Sequence, residues 1–412
     1  MDKRTIPRLA LAVSICAGIA ILLYFVLISN IEAADFQRYY FAAKQAQAGD
    51  PFIKPYAVPE TDFNMHYVYP PITVFLFYPF TLLPNWELAL ATHIIFNVIF
   101  ATITAILTIK YIRSQGTDLN RVDEVLITGA FLVGPHAVMT YAHGQVTYWI
   151  ALMLCIGYIF LNQGDEVASG LAFAFPAVLK IFPALFGLWF LKKRTYKAVG
   201  VAIASGLVAV ALSFLAFGVE MHASYVEYIA SERSRLHWYH GGLNPNIPLV
   251  TPNRALSHLF PDAPGIMFFL VPLFGGLAII AFAYFKDDPT KPAIVAFLVT
   301  TIGIILSTPS YPNYLLLTYF PLLTTIYTDP QLRVSLCTGL VVASFSVGPE
   351  EIANVLGLIG LPFGIEGIIM DIVTPILTVA SPGMIGLAIM LGSIVVFYVD
   401  RSPMTLLQDN PR

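Results

Sequence analysis

Two ionisable residues stand where such residues are expensive. Asp35 begins the charged and aromatic stretch EAADFQRYYFAAKQAQAGDPF, residues 32 to 52, directly after a long apolar run. Lys180 lies inside VASGLAFAFPAVLKIFPALFGLWFLKKR, which is otherwise nearly free of charge until its end. A lysine at hydrophobic depth costs about 2.5 to 3.5 kcal/mol on insertion scales, so it has to face a polar cavity or a partner, and a phosphate is such a partner. A carboxylate within hydrogen-bond reach of a hydroxyl can take its proton in a transition state, an effect of about 10²- to 10⁴-fold. The competing reading of Asp35 is an N-cap on an amphipathic helix ending at Gly49. For Lys180 it is a snorkelling side chain or an ion pair.

The elements that must position these groups follow from composition. Of 412 residues, 57% are hydrophobic and only 11% charged, with a net charge of -3. Repeated apolar runs with short polar breaks describe one all-α domain over residues 1 to 412, a polytopic membrane helix bundle of about twelve spans or half-spans. No basic stripe exists to neutralise a nucleic-acid backbone, so the partners are membrane lipids and small or lipidic molecules. Cys16, Cys155 and Cys337 all lie in apolar segments and make no secreted disulfide framework.

Charge asymmetry sets the threading. Lys3, Arg4 and Arg8 precede the first span and place it with its start in the cytoplasm, so Asp35 faces outward. The apolar stretch YVYPPITVFLFYPFTLLP, residues 67 to 84, is short for a full span and reads as an interfacial or re-entrant helix after Pro70 and Pro71. Spans are then expected near 87 to 111, 122 to 141 and 145 to 162. Around Lys180, two half-spans go in and return, with Pro176 and Pro183 flanking the vertex. Further spans are expected near 196 to 217, 264 to 285, 292 to 308, 312 to 328, 333 to 347 and 373 to 398. Lys192, Lys193, Arg194, Lys286, Lys291, Arg333 and Arg401 then share the cytoplasmic side. The outer loops cover 30 to 86 and 218 to 262, and the acidic stretch 348 to 372 reads as an outer interfacial helix.

On that threading the polar residues Asp35, Arg38, His66, His143, Gln145, Lys180, Arg233, Arg235, Arg254 and Asn313 gather on the outer side. Aromatic residues interleave there, notably in YVEYIASERSRLHWYHGG, residues 225 to 242. Such rings either stack on a sugar or lie at headgroup level. Gly144 and Gln145 open a helix whose free N–H groups could hold a ligand, or they form a plain turn. His237 and His240 have loose metal-like spacing, but no cysteine pair or carboxylate completes a site, so no metal and no cofactor is expected. A P-loop, a Gly-x-Ser-x-Gly elbow and an Asp-x-Asp element are all missing from the sequence.

The order ADFQRYYFAAKQAQAGDPF, YVYPPITVFLFYPFTLLP, HGQVTYWIALML and ASGLAFAFPAVLKIFPALFGLWFLKKR resembles the polytopic glycosyltransferases of the C-type superfamily. Among them it looks most like family 87, which contains polyprenol-phosphate-mannose-dependent alpha-mannosyltransferases. The resemblance implies a GT-C-type bundle in the cell membrane and a polyprenyl-phosphate-linked sugar donor. It further implies a lipid or glycan acceptor, an extracytoplasmic active site and an acidic catalytic base, which maps onto Asp35. It makes Lys180, Arg254, Arg233 and Arg235 candidates for the donor phosphate. Gln145, His143, Tyr39, His66, Asn246, Asn313 and Tyr314 become candidates for substrate contact. Two departures stand out: Ile247 and Pro248 interrupt the family's Asn-Gln-Ser-Leu pattern before Arg254, and Tyr311, Asn313 and Tyr314 occupy the place of a Trp- and His-bearing segment. The competing function is a transporter or lipid flippase, for which proline-broken segments are also a signature, though paired broken segments would be expected.

Overall fold

A computed structural model describes residues 4–29, 33–54, 65–233, 239–286, 294–360 and 364–400. The chain begins with α1 (Thr5–Leu27) and α2 (Ala34–Ala48), followed by a 3₁₀ helix over Pro71–Leu82. Next come α3 (Trp86–Ser114), α4 (Arg121–Val133), α5 (Pro135–His143) and α6 (Thr147–Asn162). α7 (Glu166–Leu179) stops at Lys180, and a short 3₁₀ turn (Phe182–Leu185) leads back through α8 (Phe186–Lys192). α9 (Tyr196–Arg233), α10 (Asn253–Leu259), α11 (Met267–Lys286) and α12 (Ile294–Leu306) follow. A third 3₁₀ stretch (Pro312–Thr318) then runs into α13 (Tyr319–Thr328), and α14 (Arg333–Ser344), α15 (Pro349–Ile359), α16 (Ile365–Val379) and α17 (Pro382–Asp400) close the chain.

This is an all-α polytopic membrane bundle. Five helices among the described residues are long and apolar enough to cross a membrane, and two bent pairs raise that to seven. Five shorter apolar helices, including α6, α7 and α12, fill in between. Large apolar side chains cover the outside: Ile95, Ile99 and Ile103 on α3, and Leu207, Val208 and Leu215 on α9, are all exposed. In water such a surface would be untenable, whereas lipid removes the penalty.

Local chemistry explains the boundaries. Asn85, Asn120 and Asp165 cap α3, α4 and α7 by accepting backbone N–H bonds from Leu88, Asp123 and Ala168. Proline decides the irregular pieces: Pro71 starts the 3₁₀ helix and Pro79 lies inside it, and neither offers an N–H to an α-ladder. Gly218, at φ 72°, breaks α9. His222 bridges that break, its Nδ1 2.7 Å from the Gly218 carbonyl and its Nε2 2.8 Å from Ser213 Oγ. The expected span over 373 to 398 is instead two helices, α16 and α17, meeting at 53°. Pro382 accounts for the break, because its ring disfavours helical geometry at Ser381. The stretch 348 to 372 holds α15 and the first half of α16, and α15 turns 69° away from α14. Both are amphipathic, with Leu358 and Ile359 exposed on α15 and Ile368, Ile372 and Ile376, four residues apart, exposed on α16.

The two ends of the bundle differ in character. At one, Arg8 forks onto the fully buried carboxylate of Asp123 at 2.8 and 3.1 Å, and the Tyr327 hydroxyl donates to the same group at 3.4 Å. α7 and α9 are tied at this end too, since Glu166 accepts from the N–H groups of Lys197 and Ala198. At the other end lie α2, the α5–α6 turn and the end of α7. Seven-tenths of a membrane core is all that α7 can climb: its 14 residues rise about 21 Å against a core of about 30 Å. Lys180 therefore sits below the surface.

Candidate active site

The carboxylate and the ammonium singled out by the sequence are joined through one side chain. Gln145 donates from Nε2 to Asp35 Oδ2, while its Oε1 accepts from Lys180 Nζ at 3.0 Å. A primary amide can do this because it carries a donor and an acceptor side by side. Asp35 does not cap α2: that place falls to Ala33, and no side-chain cap bond is made. The carboxylate lies in the first turn of α2, where the helix dipole favours negative charge. Its second oxygen accepts from Arg38 Nη1 at 3.2 Å, and the side chain keeps 24% of its exposure. A carboxylate has about four acceptor sites, so room is left for an incoming hydroxyl.

Lys180 is only 5% exposed. The break after α7 leaves it extended (φ -140°, ψ 118°), which turns its side chain away from the α7 ladder. Besides Gln145 it donates to the Tyr314 hydroxyl at 2.5 Å, and the rings of Tyr69 and Tyr314 lie 5.1 and 4.5 Å from Nζ. No carboxylate neutralises it directly among the described residues. An ammonium has three donors; two are committed here and one remains. Tyr39 completes the cluster, its hydroxyl 2.8 Å from that of Tyr69 and donating to Gln145 Oε1 at 3.3 Å. Burial above all pushes both hydroxyls far up from the usual phenol range, with the Asp35 carboxylate adding to it, so both stay protonated.

A cavity of about 370 Å³ opens beside Lys180, lined by Tyr69, Tyr225, Tyr239, Phe268, Tyr311 and Tyr314 among others. Burial pushes the Tyr239 hydroxyl up to about 12, and it raises Tyr311 too, with the Asp35 carboxylate as the second cause. Next to this cavity lies an apolar groove of about 680 Å³ between α7, α8 and α9, and the two share Pro70, Ile181 and Tyr225. An aromatic chamber with Lys180 in its wall, beside an apolar trough, suits a ligand with an anionic head and a hydrocarbon tail.

The remaining expected residues lie elsewhere. Arg254 is 1% exposed and spends its guanidinium on four carbonyls: Pro245 (3.2 Å), Leu377 (2.9 Å), Leu249 (3.5 Å) and Ile247. Backbone acceptors surround it, so it clamps the 245–249 loop to α16. Arg233 ends α9 with its side chain outside the described residues, as is all of Arg235. Asn313 is buried and donates to Thr147 Oγ1 at 3.0 Å, supporting the start of α6. Asn246 is exposed, His143 is half-buried at the end of α5, and His66 packs on the Tyr228 ring at 5.2 Å. The N–H groups of Gly144 and Gln145 are not free either, because they close α5 on the carbonyls of Tyr141 and Thr140. It is the Gln145 side chain that reaches the cluster. Sequence reasoning missed Tyr69, His93 and Asn97. The last two form a polar i, i+4 pair inside the apolar α3, which was the available signal. No group of three or more His, Cys, Asp or Glu side chains that could hold a metal ion occurs among the described residues.

An all-helical membrane bundle with an acid and a cation meeting beside an aromatic chamber and a lipid-sized groove has the design of a membrane-embedded glycosyltransferase. The chain belongs to glycosyltransferase family 87, whose family model matches residues 67–309. It is also 28% identical over 175 residues to the polyprenol-phosphate-mannose-dependent alpha-(1-2)-phosphatidylinositol pentamannoside mannosyltransferase of Mycolicibacterium smegmatis. That likeness covers 42% of this chain and 41% of the relative, so the chain spans about two fifths of the length of the curated relative it matches. Asp35 falls outside the residues that the family model matches.

Proposed function

We propose that the protein is an inverting mannosyltransferase that moves a mannosyl group from a polyprenyl-phosphate donor to an acceptor hydroxyl on the extracytoplasmic face. The observation that carries this reading is the single amide of Gln145 bridging the Asp35 carboxylate and the Lys180 ammonium. In the reaction the acceptor hydroxyl loses its proton to Asp35 while its oxygen attacks the anomeric carbon. The bond from that carbon to the phosphate oxygen breaks on the opposite face, and the electron pair leaves with the polyprenyl phosphate. Lys180, with one N–H uncommitted, stabilises the charge growing on that leaving oxygen. One base and one displacement invert the anomeric centre. The polyprenyl chain lies in the groove between α7, α8 and α9, and the tyrosines of the chamber hold the sugars.

Sidedness is argued from charge. The end opposite Asp35 carries Arg4, Arg8, Arg113, Lys192 and Lys193, the excess expected of a cytoplasmic face. The mannose donor is carried over from the relative's name, and the acceptor is taken only as a lipid or glycan hydroxyl. The test pairs chemistry with topology. Asp35→Asn is expected to lower transfer from polyprenyl-phosphate mannose by about 10²- to 10⁴-fold at unchanged folded yield, and a Lys44→Cys protein should react with an impermeant maleimide in intact cells. Transfer at the wild-type rate, or labelling only after permeabilisation, would overturn the reading.

A further inference from the structure

His93 and Asn97 sit one turn apart on α3, both fully buried, in a helix whose outward neighbours Ile95, Phe96 and Ile99 face lipid. Asn97 Nδ2 lies 3.1 Å from the Gln145 carbonyl and 3.1 Å from His93 Nε2, while His93 Nε2 is 3.4 Å from the same carbonyl. One amide group serves both contacts if each of its hydrogens is used once: Asn97 donates to Gln145 O and to an unprotonated His93 Nε2, which places the imidazole proton on Nδ1, and Nδ1 and Asn97 Oδ1 are then buried without a hydrogen-bond partner among the described residues. The carbonyl concerned stands outside the α6 ladder, whose first bonds go to Val146 O. Asn97 makes the shorter contact to it, 3.1 Å against 3.4 Å from His93 Nε2, and a carbonyl left without a donor away from water is costly at this depth.

The same imidazole touches the other half of the site. Its ring stacks on Phe36 at 4.9 Å with planes 29° apart, and Phe36 is the neighbour of Asp35. Phe36 in turn fills the space where a Cβ on Gly144 would lie, 2.4 Å from the Phe36 Cβ, so the α5–α6 turn and the start of α2 are fitted together at a glycine held at φ 65°. One buried pair therefore grips both the backbone that carries Gln145 and the ring beside Asp35.

We propose that Asn97 and His93 are positioning residues for the transfer reaction, acting through Gln145 to hold the Asp35 carboxylate and the Lys180 ammonium in register. They touch neither donor nor acceptor. The inference rests on the proposed roles of Asp35, Gln145 and Lys180, and its test separates the two.

The experiment is a double-mutant cycle in the full chain, with rates expressed per folded molecule measured by fluorescence-detected size exclusion. Gln145→Ala and Asn97→Asp are each expected to lower turnover by about 10²-fold, the scale of an ångström-sized misplacement of reacting groups. Combined, they should cost no more than about threefold beyond Gln145→Ala alone, because Asn97 has nothing left to position. His93→Gln, which keeps an acceptor for Asn97, should retain turnover within about fivefold, whereas His93→Leu should match Asn97→Asp. Losses that multiply in the double variant would overturn the positioning role, as would a His93→Gln protein as slow as His93→Leu. Full activity of Gln145→Ala would instead sink the functional reading on which the proposal stands.

Discussion

Replacing Lys180 by methionine separates chemistry from folding, because the two respond with different sizes. A phosphate oxygen about 4 Å from the ammonium, at an effective dielectric near 20, is attracted by about 4 kcal/mol. Where that attraction belongs to the leaving-group charge of the transition state, its loss slows turnover by about 10³-fold. For stability the terms nearly cancel. Removing a lysine from hydrophobic depth returns about 3 kcal/mol. Losing its bonds to Gln145 and Tyr314 costs about 1.5 kcal/mol each at the lower end for charged groups. Tyr39 still donates to Gln145 Oε1 at 3.3 Å, so that acceptor is not stranded. The Lys180→Met protein should accordingly keep its folding stability within about 1 kcal/mol while losing most of its turnover. Thermal unfolding in detergent and initial rates with polyprenyl-phosphate mannose in proteoliposomes measure the two quantities. Turnover within tenfold of wild type would refute the phosphate role, and unfolding with normal turnover per folded molecule would mark Lys180 as structural.

Arg254→Lys keeps a positive charge but loses the fork that holds four carbonyls, so it should lower the unfolding temperature by several degrees while leaving the donor KM unchanged. A raised donor KM at normal stability would restore Arg254 as an anion ligand. Gly206→Phe places a ring in open space on the groove wall, where a Cβ meets nothing within 4 Å. Displacing two methylenes of a lipid tail costs about 1.6 kcal/mol, so the KM for a long-chain donor should rise roughly tenfold or more, with no change for a donor too short to fill the groove. Equal effects on both donors would argue that the tail lies elsewhere.

How far the sequence alone reached depended on whether a residue acts through its own strand of chain or through a distant one. The bundle, the reversal at Lys180 and the Gly49 end of α2 were legible, since hydropathy, proline and glycine act locally. Lys180 was legible for the same reason: a charge inside an apolar run is conspicuous wherever the run folds. Arg254 shows the other case: a cation in a loop suggests an anion, and only the fold reveals that the carbonyls of residues 245 to 249 and of Leu377 close around it. The stretch 373 to 398 misled differently, because its hydropathy is continuous while Pro382 bends the path.

His93 and Asn97 show where the physical limit lies. Each is a single polar residue in an apolar helix, and their spacing alone puts them on one face of α3. What that face meets is the carbonyl of residue 145, some 50 positions away along the chain, and nothing local to α3 encodes the encounter. The same holds for Gln145, whose amide matters only because α2 and α7 end beside the α5–α6 turn. All three of the joined side chains stand at places where a helix begins, reverses or stops short. A continuous span would have kept them apart by presenting each to its own face, so the short, broken helices are what bring acid, amide and cation within hydrogen-bond reach. Lengthening α7 by one turn ahead of Lys180, about 5.4 Å of rise, should therefore abolish transfer even with every side chain retained, and a functional insertion variant would show that the register of these ends is not what sets the site.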